Sequence, residues 1–393
     1  MRTTKKVTEA ELEMSAESIL EYFDEVPDPR IQRSQLHPLP SVLALSLCAV
    51  LSGADSFSSI EQFGKLRQEW LETFLDLPNG IPSHDTIGRI FAMLDPEALR
   101  SSFSQWAQTI ATLEKGEVVA IDGKTLRRSF QDANNKAFVH MVSAWATRNR
   151  LVLSQVKTED KSNEITAVPR LLDTLKIDGC IVTMDAMGCQ KEIAEKVIQR
   201  DADYLLGVKG NQPKLKAMIS GIFEEALLDP GAPSADNYHE TSEKGHGRNE
   251  VRRCWTLSVG DDCDELFDGW VGAKAIVLVE RQRTVRDETS VQRAFYLSSC
   301  ARLTAEDALA ATRAHWGIEN RVHWVLDVAF REDDCRVRVH NAAQNFAVLR
   351  HAVLNLLRAI PTGPCGKKYS IRSKRLAAGW DNNYMLRVLG LSN

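Results

Sequence analysis

Up to about residue 115 the apolar residues recur every three or four positions. From Val118 they come in β-branched runs instead, and that switch of period constrains the architecture more than any other feature. VVAID, AFVHMVSAWAT and RLVLSQVKT read as three consecutive strands, with turns at Asn134-Asn135 and Arg148-Asn149-Arg150. NEITAVPRLLDTL follows as a helix with Asn163 as its cap. CIVTMDA is then a strand, CQKEIAEKVIQR a helix, YLLGVKG a strand, and Gln212 to about Leu228 a helix. Three hairpin-linked strands followed by right-handed crossovers give a mixed five-stranded sheet with helices on its faces.

This β-β-β-α-β-α-β-α order, over residues 116–229, is that of an α/β, ribonuclease-H-like fold. Asp122 then ends the central strand and Asp185 its parallel neighbour, so the two can converge at one sheet edge. Residues 1–115 read as an all-helical N-terminal domain, suited to binding a DNA end, to dimerisation, or to capping the core. FSSIEQFGKLRQEWLETFL is one amphipathic helix within it, with Leu66 near its apolar face. Between 230 and 302, Gly, Asp and Ser become common and three strand-like runs mark a β-rich insertion. Its GHGRNEVRR segment clusters His246, Arg248, Arg252 and Arg253. Such a cluster suits either a DNA grip through phosphates or an exposed strand edge kept soluble by charge.

Residues 303–358 complete the core with a long helix over TAEDALAATRAHWGIENRVHWVLDVAF, with Thr304 as its N-cap. Ile318, Val322, Val325 and Ala329 form its apolar face, with Glu319, His323 and Asp327 beside it. Trp316 and Trp324 read as core residues, because aromatics on such a helix usually pack. Residues 359–393 form a basic tail, with Lys367, Lys368, Arg372, Lys374 and Arg375 read as solvated.

Two carboxylates at strand ends and one on a helix suit a pair of divalent cations, which need only a few hard oxygen ligands set rigidly. An Asp ending a strand can equally cap the next turn, and Asp327, Glu332, Asp333 and Asp334 rival Glu319. Gly123 suits a close backbone approach to phosphate, and Lys124 a phosphate contact or a solvated surface. The net charge of −4 leaves DNA binding to local basic clusters. Neither GxxxxGK[ST] nor GxSxG occurs, which argues against ATP hydrolysis and serine-hydrolase chemistry. The eight cysteines include no CxxC pair, so zinc is not expected and a reducing cytoplasm is. MRTTKKVTEAELEM has no apolar h-region, and Leu39–Leu51 with its Pro40 reads as a buried helix, so no membrane is expected.

DGKTLR, the KGNQ of Lys209 to Gln212, the GHGR around His246 and HWGIENRVHWVLDVAFRED together resemble the DDE-type insertion-sequence transposases. The branch is the one that includes the H-repeat-associated proteins. FDEVPDPR and IPSHDTIGRIF resemble that branch's N-terminal domain, so the likeness covers nearly the whole chain. The resemblance implies an acidic triad of Asp122, Asp185 and Glu319 holding Mg2+, with Mn2+ as substitute, for DNA cleavage and strand transfer. It implies duplex DNA partners (terminal inverted repeats and target), a homodimer in the active complex, and a bacterial cytoplasmic protein that joins the nucleoid when DNA-bound. Lys124, Lys209, Asn211, His246, Arg248, Arg252, Arg253, His315, Asn320 and Arg321 are its expected DNA contacts. Where the wider superfamily signature has tyrosine, arginine and lysine around the glutamate, this chain has Thr312, His315 and Leu326. His315 is then either an imidazolium on a DNA phosphate, the reading favoured here, or a neutral group orienting Glu319. A domesticated, catalytically silent DNA-binding protein is the alternative, and a stand-alone nuclease of the same fold a third.

Overall fold

The computed structural model describes residues 18–129, 138–158, 164–228, 237–245, 247–259, 267–286 and 288–391. Among the described residues six α-helices precede the sheet: α1 Ile19–Asp24, α2 Leu39–Leu51, α3 Phe57–Leu66, α4 Gln68–Leu71, α5 His84–Met93 and α6 Pro96–Ile110. Ser56, Ser83 and Asp95 start α3, α5 and α6 by accepting backbone N–H groups that the first turn cannot satisfy. The helix expected over 57–74 is broken at Arg67, whose guanidinium turns to the Asn382 side chain and the Gly379 carbonyl. Leu66 is thereby left 78% exposed. The segment 32–51 is apolar and long enough to cross a membrane, but every residue of α2 except Pro40 is buried in the protein.

The sheet has strands β1 Val118–Leu126, β2 Val139–Ala146, β3 Leu151–Thr158, β4 Ile181–Met184, β5 Asp203–Val208, β6 Tyr238–Gly245, β7 Arg248–Ser258, β8 Ala275–Val285 and β9 Glu288–Ser298. Their order is β3-β2-β1-β4-β5-β9-β8-β7-β6, so the sheet has nine strands where five were expected. The difference arises at β5, whose far edge pairs antiparallel with β9 from Leu205↔Ser298 to Val208↔Phe295. The insertion thus prolongs the same sheet as an antiparallel ribbon. Its fourth strand, β6, has the sequence YHETSEKG at the sheet edge, with no apolar alternation to announce it.

Helices α7 Glu164–Asp173, α8 Lys191–Ile198 and α9 Pro213–Leu228 cover one face of the sheet through Val168, Leu172, Ile193, Val197 and Ile219. The other face meets α10 Ala305–His315, a π-turn over Glu319–His323, α11 Trp324–Phe330 and α12 Ala342–Ala359. The Asn134-Asn135 turn and the Asn163 cap fall outside the described residues.

One hydrophobic core joins α1–α6 to α11, α12 and the last two helices, α13 Ile371–Trp380 and α14 Asn382–Leu389. The C-terminal region is therefore not a solvated tail. Lys374 donates to the carbonyls of Leu357 and Ile360, and Arg375 to those of Val50 and Ala329, with its guanidinium over the Phe330 ring. Both side chains donate to carbonyls at or near helix C-terminal ends, where the last carbonyls lack the usual helical donor.

A buried amide ties this helical layer to the sheet. Asn355 of α12 is fully buried, accepts from Val152 N at 2.9 Å and donates to Val152 O at 2.8 Å. It thereby serves Val152 as a neighbouring strand would, beside the irregularity where the β2–β3 register shifts. Asn355→Leu strands two buried backbone groups and should cost about 2–4 kcal/mol of stability. Denaturant unfolding of the variant measures it, and a loss below about 1 kcal/mol would show that the amide is replaceable.

Candidate active site

β1 and β4 pair in parallel from Val118↔Ile181 to Ala120↔Thr183. Two residues further along each chain, on the same face, come Asp122 and Asp185. β1 does not end at Asp122 as expected. It runs on to Leu126 because β2 continues to pair with it as far as Leu126↔Val139. Asp122 thus sits where β1 loses its parallel neighbour and an opening forms.

Asp185 follows β4 directly, and its Oδ1 accepts from Met187 N at 2.9 Å, capping the short turn Ala186–Gly188. The KGNQ segment braces that turn. Asn211 Nδ2 donates to Ala186 O at 2.5 Å, and Gln212 Nε2 to Cys189 O at 2.9 Å. Asn211, expected on DNA, is committed here to the backbone that carries Asp185.

The helix expected over 304–330 begins as expected, with Thr304 Oγ1 accepting from Asp307 N. It is not continuous. Over Glu319–His323 it loosens into a π-turn, in which Trp324 N donates to Glu319 O five residues back. Single π-turns of this kind are uncommon and concentrate at functional sites. Two residues earlier, Gly317 lies against Trp145 of β2, and a Cβ there would be 2.6 Å from the indole ring. Ile318, Val322, Leu326 and Phe330, four residues apart, take the buried seam. Trp316 and Trp324 are consequently 57% and 60% exposed, not core residues.

Glu319 and Asn320 are exposed at the floor of a groove of about 1040 Å³, which Asp122, Asp185, Lys209 and His315 also line. Burial, helped by the charges of Asp185, Glu164 and Glu319 and opposed by the Gly123 backbone N–H, pushes the Asp122 carboxyl up to about 7. His323 Nδ1 lies 3.5 Å from Asp122 Oδ2, but burial brings that ring down to about 3, so it is neutral and offsets no charge.

Lys124 is not available to DNA. Its Nζ lies 2.5 Å from Asp327 and 2.6 Å from buried Glu332, itself 3.8 Å from Arg350. Burial alone would lower the lysine, and the Glu332 and Asp327 charges more than reverse that. Asp327, the chief rival to Glu319, belongs to this internal network.

Burial also lowers His315, and its Nδ1 is 3.2 Å from Thr183 Oγ1. That lowering works against the imidazolium expected to face phosphate, while the Asp185 charge works for it. Glu319 is not the ring's hydrogen-bond partner. Arg321 is exposed, and its carbonyl accepts from Arg358 of α12.

In the ribbon, Arg248 and Arg252 face one side and Arg253 the other, by the two-residue period of β7. Arg252 lines the groove together with Arg281 of β8, Arg293 of β9 and Arg313 of α10, and these last three were not among the expected DNA contacts. Arg281 was legible in the alternation of ERQRTV. Arg248, Arg252, Arg281 and Arg313 share Glu243 and Glu250. Arg253, on the opposite side, is paired with Glu240 and Glu280, and Arg293, which also lines the groove, is paired with Glu280. His246 falls outside the described residues.

An acid-floored groove with an arginine-bearing wall is a site for a polyanion, and comparison with known proteins gives the class. Residues 113–356 match the transposase DDE domain, and residues 20–107 the family described as DDE_Tnp_1-associated. The chain belongs to the DDE transposase family, in the branch that includes the H-repeat-associated proteins. It is 39% identical to the "H repeat-associated putative transposase YhhI" of Escherichia coli (strain K12), over 96% of this chain and 98% of that one. It is 42% identical to the "Putative transposase YncI" of Escherichia coli O157:H7, over 88% of each. Among solved structures, a piggyBac transposase synaptic complex with hairpin DNA is similar at a TM-score of 0.42 and 10% identity, over 94% of this chain and 79% of that one. That likeness is too distant to carry an argument.

The raised Asp122 has a measurable consequence. Its folded pKa, about 7, lies above the ordinary 3.8, so the fold disfavours the ionised form. The penalty is absent below about pH 4, grows as pH rises, and is complete above about pH 7. Asp122→Asn should therefore stabilise the metal-free protein at pH 8 by about 2 kcal/mol, after discounting for solvent access, and by almost nothing at pH 4. Unfolding midpoints at both pH values check it; a variant less stable than wild type at pH 8 would contradict the assigned crowding.

Proposed function

We propose that the chain is an active transposase, in which Asp122, Asp185 and Glu319 hold two divalent metal ions, Mg2+ or Mn2+, for DNA cleavage and strand transfer. The observation that carries this reading is the uncompensated acidity at Asp122. A carboxylate raised by burial and, further, by three other acids, with the nearest lysine committed elsewhere, is an arrangement that a cation would relieve. Among the described residues no three His, Cys, Asp or Glu side chains are already gathered at ligating distance. The donors fit in kind, since hard divalent ions take carboxylate oxygens. Such ions, when bound, polarise the scissile phosphate and activate the attacking oxygen.

The protein's own contribution is position. The β1–β4 register fixes Asp122 beside Asp185, the Asn211 brace fixes the Asp185 turn, and Gly317 lets the Glu319 helix lie close on the sheet. His315 and His323, both neutral, leave the net negative charge in place for the ions. The strand order β3-β2-β1-β4-β5 supports a ribonuclease-H-like core over 116–229 and 303–358, with 230–302 inserted into it. Terminal-repeat and target DNA would lie along the arginine-bearing face, with Lys209, Asn320 and Arg321 near the acids and residues 1–115 engaging DNA ends or a second copy. A cytoplasmic, nucleoid-associated homodimer fits this role. The retained acids favour it over a silent, domesticated descendant.

Asp122→Asn, Asp185→Asn and Glu319→Gln should each reduce cleavage of a terminal-repeat DNA by at least about 1000-fold while binding is retained. Asp327→Asn should cleave, although less stably folded. Cleavage in EDTA, or a normal rate from Glu319→Gln, would refute the assignment. Ca2+ should support DNA binding with little cleavage, because its looser coordination misplaces the reacting oxygens.

The two faces of the ribbon should also differ. Arg252→Ala with Arg281→Ala should flatten the salt dependence of duplex binding by about 0.9 in log–log slope per lost phosphate contact. Arg253→Ala, on the opposite face, should leave that slope unchanged. Equal slopes for the groove pair and for Arg253→Ala would remove this face from the DNA path.

A further inference from the structure

Glu164, the first residue of α7, lies beside Asp122 although sequence reasoning gave it no part. His140 of β2 holds it: Nε2 of the ring bonds Glu164 Oε1, and Nδ1 bonds Thr125 Oγ1 at 2.9 Å. Both ring nitrogens are engaged and the side chain is almost wholly buried, so the imidazole is a fixed mount. The other Glu164 oxygen accepts no hydrogen bond among the described residues. Glu164, Asp122 and Asp185 line one small cavity.

The pair also accounts for Gly123. A Cβ at that position would lie 2.5 Å from both Glu164 Oε1 and His140 Nε2, so any side chain would displace the two together. Gly123 is needed here for an acid that reaches over the backbone, rather than for an approaching phosphate. A neutral acceptor would satisfy His140 equally well. An acid instead adds repulsion at Asp122, a cost that a bound cation would cancel.

We propose that Glu164, aimed by His140 across Gly123, is a fourth carboxylate of the ion-binding site and helps set its affinity for divalent metal. The inference rests on the reading of Asp122, Asp185 and Glu319 as an ion site. Glu164 supplies charge, and His140 is a positioning residue.

Mn2+ binding to the full chain without DNA, followed by calorimetry, tests this apart from activity. Glu164→Gln keeps the volume and a hydrogen bond to His140, and should weaken Mn2+ binding about tenfold or more. His140→Phe should weaken it less, and should add little in the double variant. Without ions, Glu164→Gln should melt at or above the wild-type temperature, since it relieves repulsion at Asp122. Wild-type Mn2+ binding by Glu164→Gln, alongside weakened binding by Asp185→Asn, overturns the proposal and leaves the triad reading intact. Wild-type binding by both variants overturns the triad reading itself. A Glu164→Gln protein that melts well below wild type without ions makes Glu164 a structural partner of His140 only, and overturns the proposal too.

Discussion

The parallel register of β1 and β4 is the constraint on which the site depends. Pairing Ala120 with Thr183 sets Asp122 and Asp185 side by side on one face, although they lie 63 positions apart in sequence. Rigidity is needed because the arrangement opposes folding. Like charges in a partly buried place favour protonation of one of them, and Asp122 is where that pressure appears. The surroundings are organised to withstand it. Asp185 is capped by its own turn, the turn is braced by Asn211 and Gln212, and Lys124 is held behind the site by Asp327 and Glu332.

That use of Lys124 shows why a strand-end DGK motif is easy to misread. In sequence, a lysine two residues after an acid looks like a phosphate contact. In the fold, both side chains leave the same face of β1, where the C-terminal helices bring acids of their own. Among the described residues, Lys124 and Arg350 are the cations paired with Glu332, and losing the lysine would leave a wholly buried carboxylate with one distant partner. Pairing inside the protein therefore prevails over exposure to a ligand.

How much was legible follows the range of the forces involved. The five core strands, their helices and the Thr304 cap are set by local period and capping chemistry, and they were read directly. The acids at 122, 185 and 319 could be singled out from strand ends and helix period, and all three line one groove. What depended on distant partners was hidden. Glu164 looks like an ordinary first-turn acid until His140 and Gly123 meet it. Trp316 and Trp324 look like core residues until the Ile318–Val322–Leu326–Phe330 seam takes the buried side. Lys374 and Arg375 look solvated until the carbonyls of Leu357, Val50 and Ala329 are found beneath them.

The ribbon shows how one stretch of basic sequence is divided by geometry into two parts with different capacities. Adjacent in sequence, Arg252 and Arg253 point to opposite faces of β7. On the outer face, Arg253 has Glu240 and Glu280, so its charge is locally cancelled. On the groove face, buried Glu250 is shared by Arg248, Arg252 and Arg281, at 3.7, 2.7 and 3.8 Å, and Glu243 by Arg252 and Arg313. Four guanidiniums around two carboxylates keep a positive excess while their geometry is fixed. A phosphate arriving there adds a partner without having to break every existing one. The same sharing holds the arginines back from the acids at the groove floor, so the negative end that suits a cation and the positive wall that suits a polyanion persist in one cavity.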